Sequence, residues 1–213
     1  MTTKEPVCIQ VWSDYVCPFC YLEEPVLDQL QQTYPEQIKI VWRAFELRPE
    51  PVPTLDPQGD YLRTTWDRSV YPMAKIRGMV LRLPPVQPRS RKALEAAEFA
   101  REKQKFAEMH HALFKAFFKE GLNLEDINIL LEVGTKVGLD REELQKALET
   151  NQFTQQVLDD EMLAHKLKIT GVPTMLIGLY NQPLEAALRI SGAQTYEFVK
   201  AEVEQILKAS ALL

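Results

Sequence analysis

Two cysteines separated by two residues are the strongest candidates for chemistry in this sequence. They lie in Cys17-Pro18-Phe19-Cys20, directly after a short apolar run. If a helix begins at this point, the first thiol lies at the positive end of the helix dipole, where unpaired N–H groups stabilise a thiolate. The second thiol lies one turn deeper and can attack a mixed disulfide formed by the first. We therefore predict Cys17 as a redox nucleophile and Cys20 as its resolving residue.

The two residues between the cysteines should shape this site. Pro18 has no N–H to donate and stiffens the first helical turn, where proline is well tolerated. Phe19 brings neither a charge nor a hydrogen-bond donor to the thiolate, whereas a histidine there brings both. We predict that both residues contact the substrate.

Other uses of a cysteine pair remain open at this point. A CxxC motif can form half of a structural zinc site, but such sites use four ligands at recognisable spacing. Cys8 lies in a predicted strand, and His110 and His111 are adjacent on a predicted helix, so no such set is evident. Cys8 is best interpreted as a small buried side chain. We predict no metal site, although an inert CxxC at this position is a further alternative.

Strand and helix patterns place the cysteine pair at a junction between the two. Residues 7–12 form an apolar run typical of a buried strand, and residues 13–16 form the loop that follows. Residues 19–34 have helical periodicity, although Pro25 should bend this helix or shorten its first turn. Residues 38–45 alternate as a second strand. The chain therefore begins as strand, helix, strand, with the CxxC where the first helix starts.

The middle of the chain is helical between and after two proline clusters. Ser90 can cap a long helix that continues through Phe117, residues 124–137 form another helix, and Asp140 opens a third. Residues 152–168 form a helix before strands at 175–180 and 187–190, and residues 195–207 form a closing helix. This order predicts an α/β, thioredoxin-like fold with an all-helical insertion between its two halves. We assign 1–50 and 151–213 to the thioredoxin-like domain and 51–150 to the insertion.

A second signal lies far along the chain, in Gly171-Val172-Pro173-Thr174 before an apolar strand. An X-Pro bond is cis in about 5–6% of cases, far more often than any other peptide bond. A proline packed against the cysteines cannot donate an N–H, which leaves the backbone around Val172 free to pair with an extended substrate. We therefore predict Val172 as a substrate-binding residue.

Composition excludes several classes of function. The 213 residues carry a net charge of −5, with 46% hydrophobic and 26% charged residues, as in an ordinary globular protein. A local basic cluster around Arg89, Arg91 and Lys92 is best interpreted as a solvated helix face. We expect no nucleic-acid partner and no membrane partner. The start of the sequence has no signal-peptide pattern, so we predict a cytoplasmic protein.

Several segments together resemble the DsbA family of thioredoxin-like proteins. They are the stretch around Cys17-Pro18-Phe19-Cys20, the Gly171-Val172-Pro173-Thr174 segment, residues 42–49 and residues 191–194. The chain is most similar to the FrnE-like branch, which includes relatives of 2-hydroxychromene-2-carboxylate isomerase. The resemblance implies that Cys17, Cys20 and Pro173 are the active-site residues, with Pro173 in cis. Isomerase relatives usually carry serine where this chain has Cys17, and they use glutathione.

Some further residues attract attention less specifically. Asp14 precedes Cys17 by three residues, and we predict that it caps the turn, with proton acceptance as the alternative. Glu46 is equally a buried carboxylate near the site or a solvated strand end. His110, His111 and His165 are predicted as surface or boundary residues. Four helical aromatics are predicted as core residues, with a substrate groove between the insertion and the rest of the fold as the alternative: Phe106, Phe114, Phe117 and Phe118.

Three functions are compatible with these patterns. The first is a protein disulfide oxidoreductase that acts through Cys17 and Cys20 on a disulfide-containing or dithiol protein or small molecule. It requires no bound cofactor, and glutathione is a candidate redox partner. The second is a glutathione-dependent transferase or isomerase, and the third is a non-catalytic peptide-binding module or chaperone. The presence of both cysteines favours the first.

Overall fold

The computed structural model describes residues 7–210, which form a four-stranded sheet surrounded by helices. The strands lie in the order β2-β1-β3-β4, with β1 parallel to β2 and antiparallel to β3, and β4 antiparallel to β3. Their bounds are β1 Val7–Ser13, β2 Ile38–Ala44, β3 Thr174–Leu179 and β4 Leu188–Ser191. Trp12 pairs with Thr174, so the end of β1 lies beside the start of β3. This pairing brings the segments after β1 and before β3 together.

The helices follow the predicted order. They are α1 Pro18–Thr33, α2 Asp60–Thr65, α3 Tyr71–Ile76, α4 Arg91–Glu102, α5 Phe106–Phe118, α6 Ile127–Lys136, α7 Arg141–Glu149, α8 Thr154–Lys166 and α9 Tyr196–Ser210. A π-helical turn, Trp66–Val70, joins α2 to α3, and Leu184–Ala186 is a short 3₁₀ turn. The thioredoxin-like fold with a helical segment between β2 and β3 is confirmed. The domain boundaries at residues 50 and 151 stay a prediction.

The expectation of one long central helix was wrong. The long helix predicted from Ser90 through Phe117 is two helices, because Gln104 between α4 and α5 has φ +58° and the Lys105 N–H bonds back to the Ala100 carbonyl. No glycine or proline marks this break, so the apolar periodicity conceals it. Ser90 occupies the N-cap position of α4, but its side chain makes no capping hydrogen bond. In α1, the helix continues through Pro25 to Thr33, so this proline does not confine it to a short first turn.

Apolar packing divides the molecule into regions that do not follow the order of the chain. One cluster joins β1 and β3 to α1 and α9, with Ile9, Leu27 and Val199 in its interior. A larger cluster fills the helical segment, and it includes Cys17 and Cys20. A third, smaller cluster surrounds Trp12 beneath α8. The two cysteines belong to the sheet half of the chain by position and to the helical segment by packing.

One arginine ties the helical segment to the rest of the fold. Arg77, at the end of α3, donates to the Leu22 carbonyl in α1 and to the Gln194 carbonyl before α9. Its guanidinium also lies 3.5 Å from Oε2 of Glu23, whose side chain is fully buried. The Gln194 N–H donates to the same oxygen at 2.7 Å. Three separate segments therefore converge on one buried carboxylate.

Candidate active site

The local sequence starts α1 directly at the first cysteine. Cys17 is the N-cap, with extended φ and ψ of −93° and 114°, and Pro18 occupies the first helical turn. The Cys17 carbonyl accepts from the N–H groups of Cys20 at 3.1 Å and Tyr21 at 3.3 Å. Both thiols are free, with 5% of Cys17 and none of Cys20 exposed. Cys17 therefore lies at the N-terminal end of α1, which is the positive end of the helix dipole.

A cis peptide bond lies against the first cysteine. The Val172–Pro173 bond is cis, and Cys17 Sγ lies 3.5 Å from the Val172 carbonyl oxygen. The loop is held by the Gly192 N–H, which donates to the Pro173 carbonyl at 2.8 Å, and by the Thr174 hydroxyl, which donates to the Gly171 carbonyl at 2.7 Å. Among residues 7–210, the Val172 N–H has no hydrogen-bond partner. The predicted neighbourhood of Cys17, Val172 and Pro173 is present in the fold.

Asp14 is buried behind the cysteines and acts as a cap of the loop. Its carboxylate accepts from the Val16 N–H at 3.2 Å and from the Leu47 N–H at 2.7 Å, and its backbone carbonyl accepts from the Cys17 N–H at 3.1 Å. Burial raises the pKa of Asp14 to about 6, although the Leu47 N–H opposes this shift. These contacts fit the predicted cap, because both carboxylate oxygens are engaged in holding the loop.

The second cysteine is a protonated thiol in this environment. Burial raises the pKa of Cys20 well above its usual range, and the adjacent Cys17 sulfur raises it further. The Asp14 N–H and the Ser13 hydroxyl act in the opposite direction. Cys20 is thus poorly placed to meet a substrate and well placed to react with the sulfur of Cys17.

An apolar cavity of about 230 Å³ opens beside Cys17. Pro18, Phe19 and Val172 line it, and their contact with substrate stays a prediction. The sequence interpretation did not identify the opposite wall, which includes Leu47, Tyr61, Leu62, Trp66 and Pro84. The sequence offered one signal for this wall: residues 49–60 are rich in proline and precede Tyr61 and Trp66. Long loops next to a scaffold often carry binding residues.

The helical aromatics contribute both to the core and to this cavity. Phe114, Phe117 and Phe118 are at most 1% exposed, which confirms them as core residues. Phe117 and Phe118 also line the cavity, so for these two residues the core and the groove alternatives both apply. The cause is geometric: a fully buried ring can present one edge to a neighbouring cavity.

The histidines and Glu46 lie in different environments from one another. His110 is only 4% exposed, its Nδ1 lies 2.9 Å from the Tyr15 hydroxyl, and burial lowers its pKa well below 6.5. The surface prediction for His110 was therefore wrong, because its helix face packs against Tyr15 and Trp42. His111 is partly exposed and bonds Glu24. Glu46 is buried and paired with Arg91.

Comparison with known proteins places the chain in a family. A family model described as a DSBA-like thioredoxin domain matches residues 8–204. The chain belongs to this family. It is also 38% identical over 178 residues to the uncharacterized protein YwbO of Bacillus subtilis (strain 168), covering 81% of this chain and 87% of YwbO.

Solved structures share the fold of this chain. A probable DsbA oxidoreductase, SCO1869 from Streptomyces coelicolor, has a TM-score of 0.76 at 22% identity over 95% of this chain and 90% of that one. A 2-hydroxychromene-2-carboxylate isomerase has a TM-score of 0.77 at 20% identity over 96% of this chain and 98% of that one. The predicted relationship to both groups is confirmed at the level of fold. Within residues 7–210, no group of side chains is arranged to hold a metal ion, and no helix is long and apolar enough to cross a membrane.

Proposed function

We propose that this DsbA-like protein is a thiol–disulfide oxidoreductase that uses Cys17 and Cys20. The observation that carries the proposal is the contact between Cys17 Sγ, at the start of α1, and the Val172 carbonyl beside a cis proline. This contact places the more accessible sulfur of a dithiol against a backbone segment whose N–H is unpaired. The segment can then pair with an extended substrate strand while the sulfur reacts.

The proposed reaction has two displacements. The Cys17 thiolate attacks one sulfur of a substrate disulfide, which forms a mixed disulfide and releases the other substrate sulfur as a thiolate. Cys20 then loses its proton and attacks Cys17 Sγ, which forms the Cys17–Cys20 disulfide and releases the second substrate thiolate. The substrate gains two electrons, and its two thiolates take up the two protons that the enzyme thiols lose. A dithiol or two molecules of glutathione can restore the reduced enzyme, so no bound cofactor is required.

The electrostatics of the pair are consistent with this order. Because burial keeps Cys20 protonated, it does not compete with Cys17 for the incoming disulfide. Once Cys17 is in a mixed disulfide, its sulfur carries no negative charge, so this charge no longer raises the pKa of Cys20. The second displacement therefore becomes easier only after the first has occurred.

The test uses reduction of insulin disulfides and a trapping variant. Wild-type protein should reduce insulin, Cys17→Ser should be inactive, and Cys20→Ser should accumulate a mixed disulfide with substrate. Full turnover by Cys20→Ser with glutathione would instead indicate the glutathione-dependent alternative. Protection of an unfolded protein without either cysteine would indicate a chaperone. The direction of the reaction follows from the reduction potential of the Cys17–Cys20 couple, which is measured in glutathione buffers. For the predicted cytoplasmic location, this potential is compared with that of the cytosolic glutathione pool.

A further inference from the structure

Two cavities meet at the loop that contacts Cys17. Gly171 and Val172 line both of them, and they differ sharply in charge. Because the substrate sulfur must reach Cys17 beside Val172, the substrate side chains that share a face with the reactive cysteine lie next to these two cavities. Their chemistry therefore bears on which substrates the proposed exchange reaction accepts.

The first cavity, which lies on the helical side, has no charged side chain in its lining. Its volume of about 230 Å³ exceeds the roughly 150 Å³ of an engineered apolar cavity that binds benzene. Its mouth is apolar too, with Tyr61 66% and Leu47 36% exposed. An aromatic or aliphatic side chain therefore fits this cavity, and a charged one loses its hydration there without gaining a partner.

The second cavity, of about 310 Å³, carries two cations and no carboxylate. Lys168 and Arg189 line it, together with the hydroxyls of Thr170 and Ser191. Arg189 donates to the carbonyls of Leu167 and Lys168, which are neutral acceptors and leave its charge uncompensated. Within the part of the chain that the structure describes, neither cation is paired with a carboxylate. This cavity suits an anionic group.

Acidic side chains are also missing from the adjoining part of the groove. A smaller cavity shares Val16, Leu47 and Tyr61 with the apolar one, and its only charged lining residue is Arg48. None of the three cavities is lined by Asp or Glu. In a protein with a net charge of −5, the charged residues that line these three cavities are thus all cations.

We infer that the substrate is a polypeptide with an aromatic or aliphatic residue two positions to one side of its reactive cysteine and an acidic residue two positions to the other side. This inference rests on the proposed exchange activity. Side chains of an extended segment alternate between its two faces, so the residues two positions from the cysteine, roughly 6.6 Å along the chain, share its face and reach the two cavities while the backbone pairs with Val172. Glutathione provides carboxylates but has no apolar group for the first cavity.

The experiment compares capped pentapeptides as disulfide-linked homodimers, with consumption of reduced enzyme followed by chromatography after acid quench. The reference is Phe-Ala-Cys-Ala-Glu, tested alongside the reverse order Glu-Ala-Cys-Ala-Phe. For the faster order, Phe replaced by Ser should lower the second-order rate constant about tenfold, since a large apolar side chain is then no longer buried in the first cavity. Glu replaced by Lys should lower it about fivefold, and 0.5 M NaCl should abolish only this second difference.

Matched variants connect each preference to its cavity. Lys168→Glu should invert the preference between the Glu and Lys peptides, whereas Lys136→Glu, an exposed change away from the site, should leave it intact. Tyr61→Ser should reduce the preference for Phe over Ser. Because Tyr61 is exposed, this substitution should leave the fold intact. Equal rates for all peptides, alongside normal exchange with the neutral hydroxyethyl disulfide, would overturn this inference. A failure of wild-type protein to react even with hydroxyethyl disulfide would overturn the proposed function itself.

Discussion

The two sides of the cleft at Cys17 are held in place by different forces. On one side, the Val172–Pro173 loop is fixed by backbone hydrogen bonds, including the bond between Gly192 and Pro173, and by the pairing of β1 with β3. On the other side, the wall of the helical segment depends on side-chain packing of Trp66 with Phe118 and Tyr71. Backbone pairing tolerates many sequences, whereas side-chain packing depends on each residue.

This difference separates the reaction from the selection of apolar residues. The backbone-held side presents Cys17 and the Val172 N–H, which has no hydrogen-bond partner within residues 7–210 and which any extended substrate can use. The packed side supplies a cavity whose shape depends on large apolar residues. Changes at the cysteines should alter reaction steps, changes at Lys168 and Arg189 beside the loop should alter the preference for charge, and changes on the packed side should alter stability and the preference for apolar residues.

The largest expected effect is on the reaction, through Cys17→Ser. Serine is nearly isosteric but is not a nucleophile at neutral pH, so insulin reduction should fall by at least about a thousandfold. The unfolding midpoint should change little. Cys8→Ser is the matched control, since Cys8 is also buried but lies in β1. Loss of activity in the Cys8 variant and not in the Cys17 variant would reverse the assignment.

The next effect tests the packed side through Trp66→Ala. Trp66 is 2% exposed, and removal of such a side chain costs about 3–5 kcal/mol in the free energy of unfolding. Chemical denaturation should show this loss, with Trp66→Phe as the smaller control change. If the backbone-held side is independent, the potential of the Cys17–Cys20 couple in the folded variant should stay close to that of the wild type. A large change in the potential would show that the two sides are coupled.

A pH-dependent effect is expected at Glu23, which lies where the two sides are joined by Arg77. Burial raises the pKa of Glu23 from 4.5 to about 7, although the Gln194 N–H and Arg77 oppose this shift. The folded protein then binds this proton more tightly than the unfolded chain, so the contribution of Glu23 to stability falls as pH rises from about 4.5 to about 7. Glu23→Gln should remove this part of the slope.

The measurement for Glu23 is the urea midpoint at pH 5, 6 and 7. Between pH 5 and pH 7, we expect the free energy of unfolding of Glu23→Gln to change by about 1–2 kcal/mol less than that of the wild type. Glu197→Gln, on the exposed first turn of α9, provides the control. Parallel curves for Glu23→Gln and wild type would contradict the assignment.

The smallest expected effect tunes the backbone-held side through Phe19→His. A protonated histidine next to Cys17 stabilises its thiolate, so the reduced state is favoured and the couple becomes more oxidising. We expect a potential less negative by about 30 mV, which for two electrons corresponds to about 1.4 kcal/mol. Phe19→Leu serves as the uncharged control, and a similar shift in both variants would contradict the charge explanation.

The sequence by itself predicted the chemistry proposed for this protein and determined much of its scaffold. Cys17-Pro18-Phe19-Cys20 after an apolar run defines both a helix start and a dithiol, because proline in the first turn and spacing within one turn are local properties. Periodicity then located most strands and helices. It failed at Gln104, where a left-handed residue ends α4 without glycine or proline.

Only the tertiary structure decided what surrounds the cysteines. The contact between Cys17 and Val172 spans 155 positions in the chain and follows from the register of β1 with β3. The burial of His110 and the cavity wall at Tyr61 and Trp66 likewise depend on how the helices pack. Local sequence specifies backbone conformation and nearby reactivity, whereas distant packing specifies which side chains share a cavity. The two cavities beside Val172, and hence the substrate inferred for them, belong to the second kind.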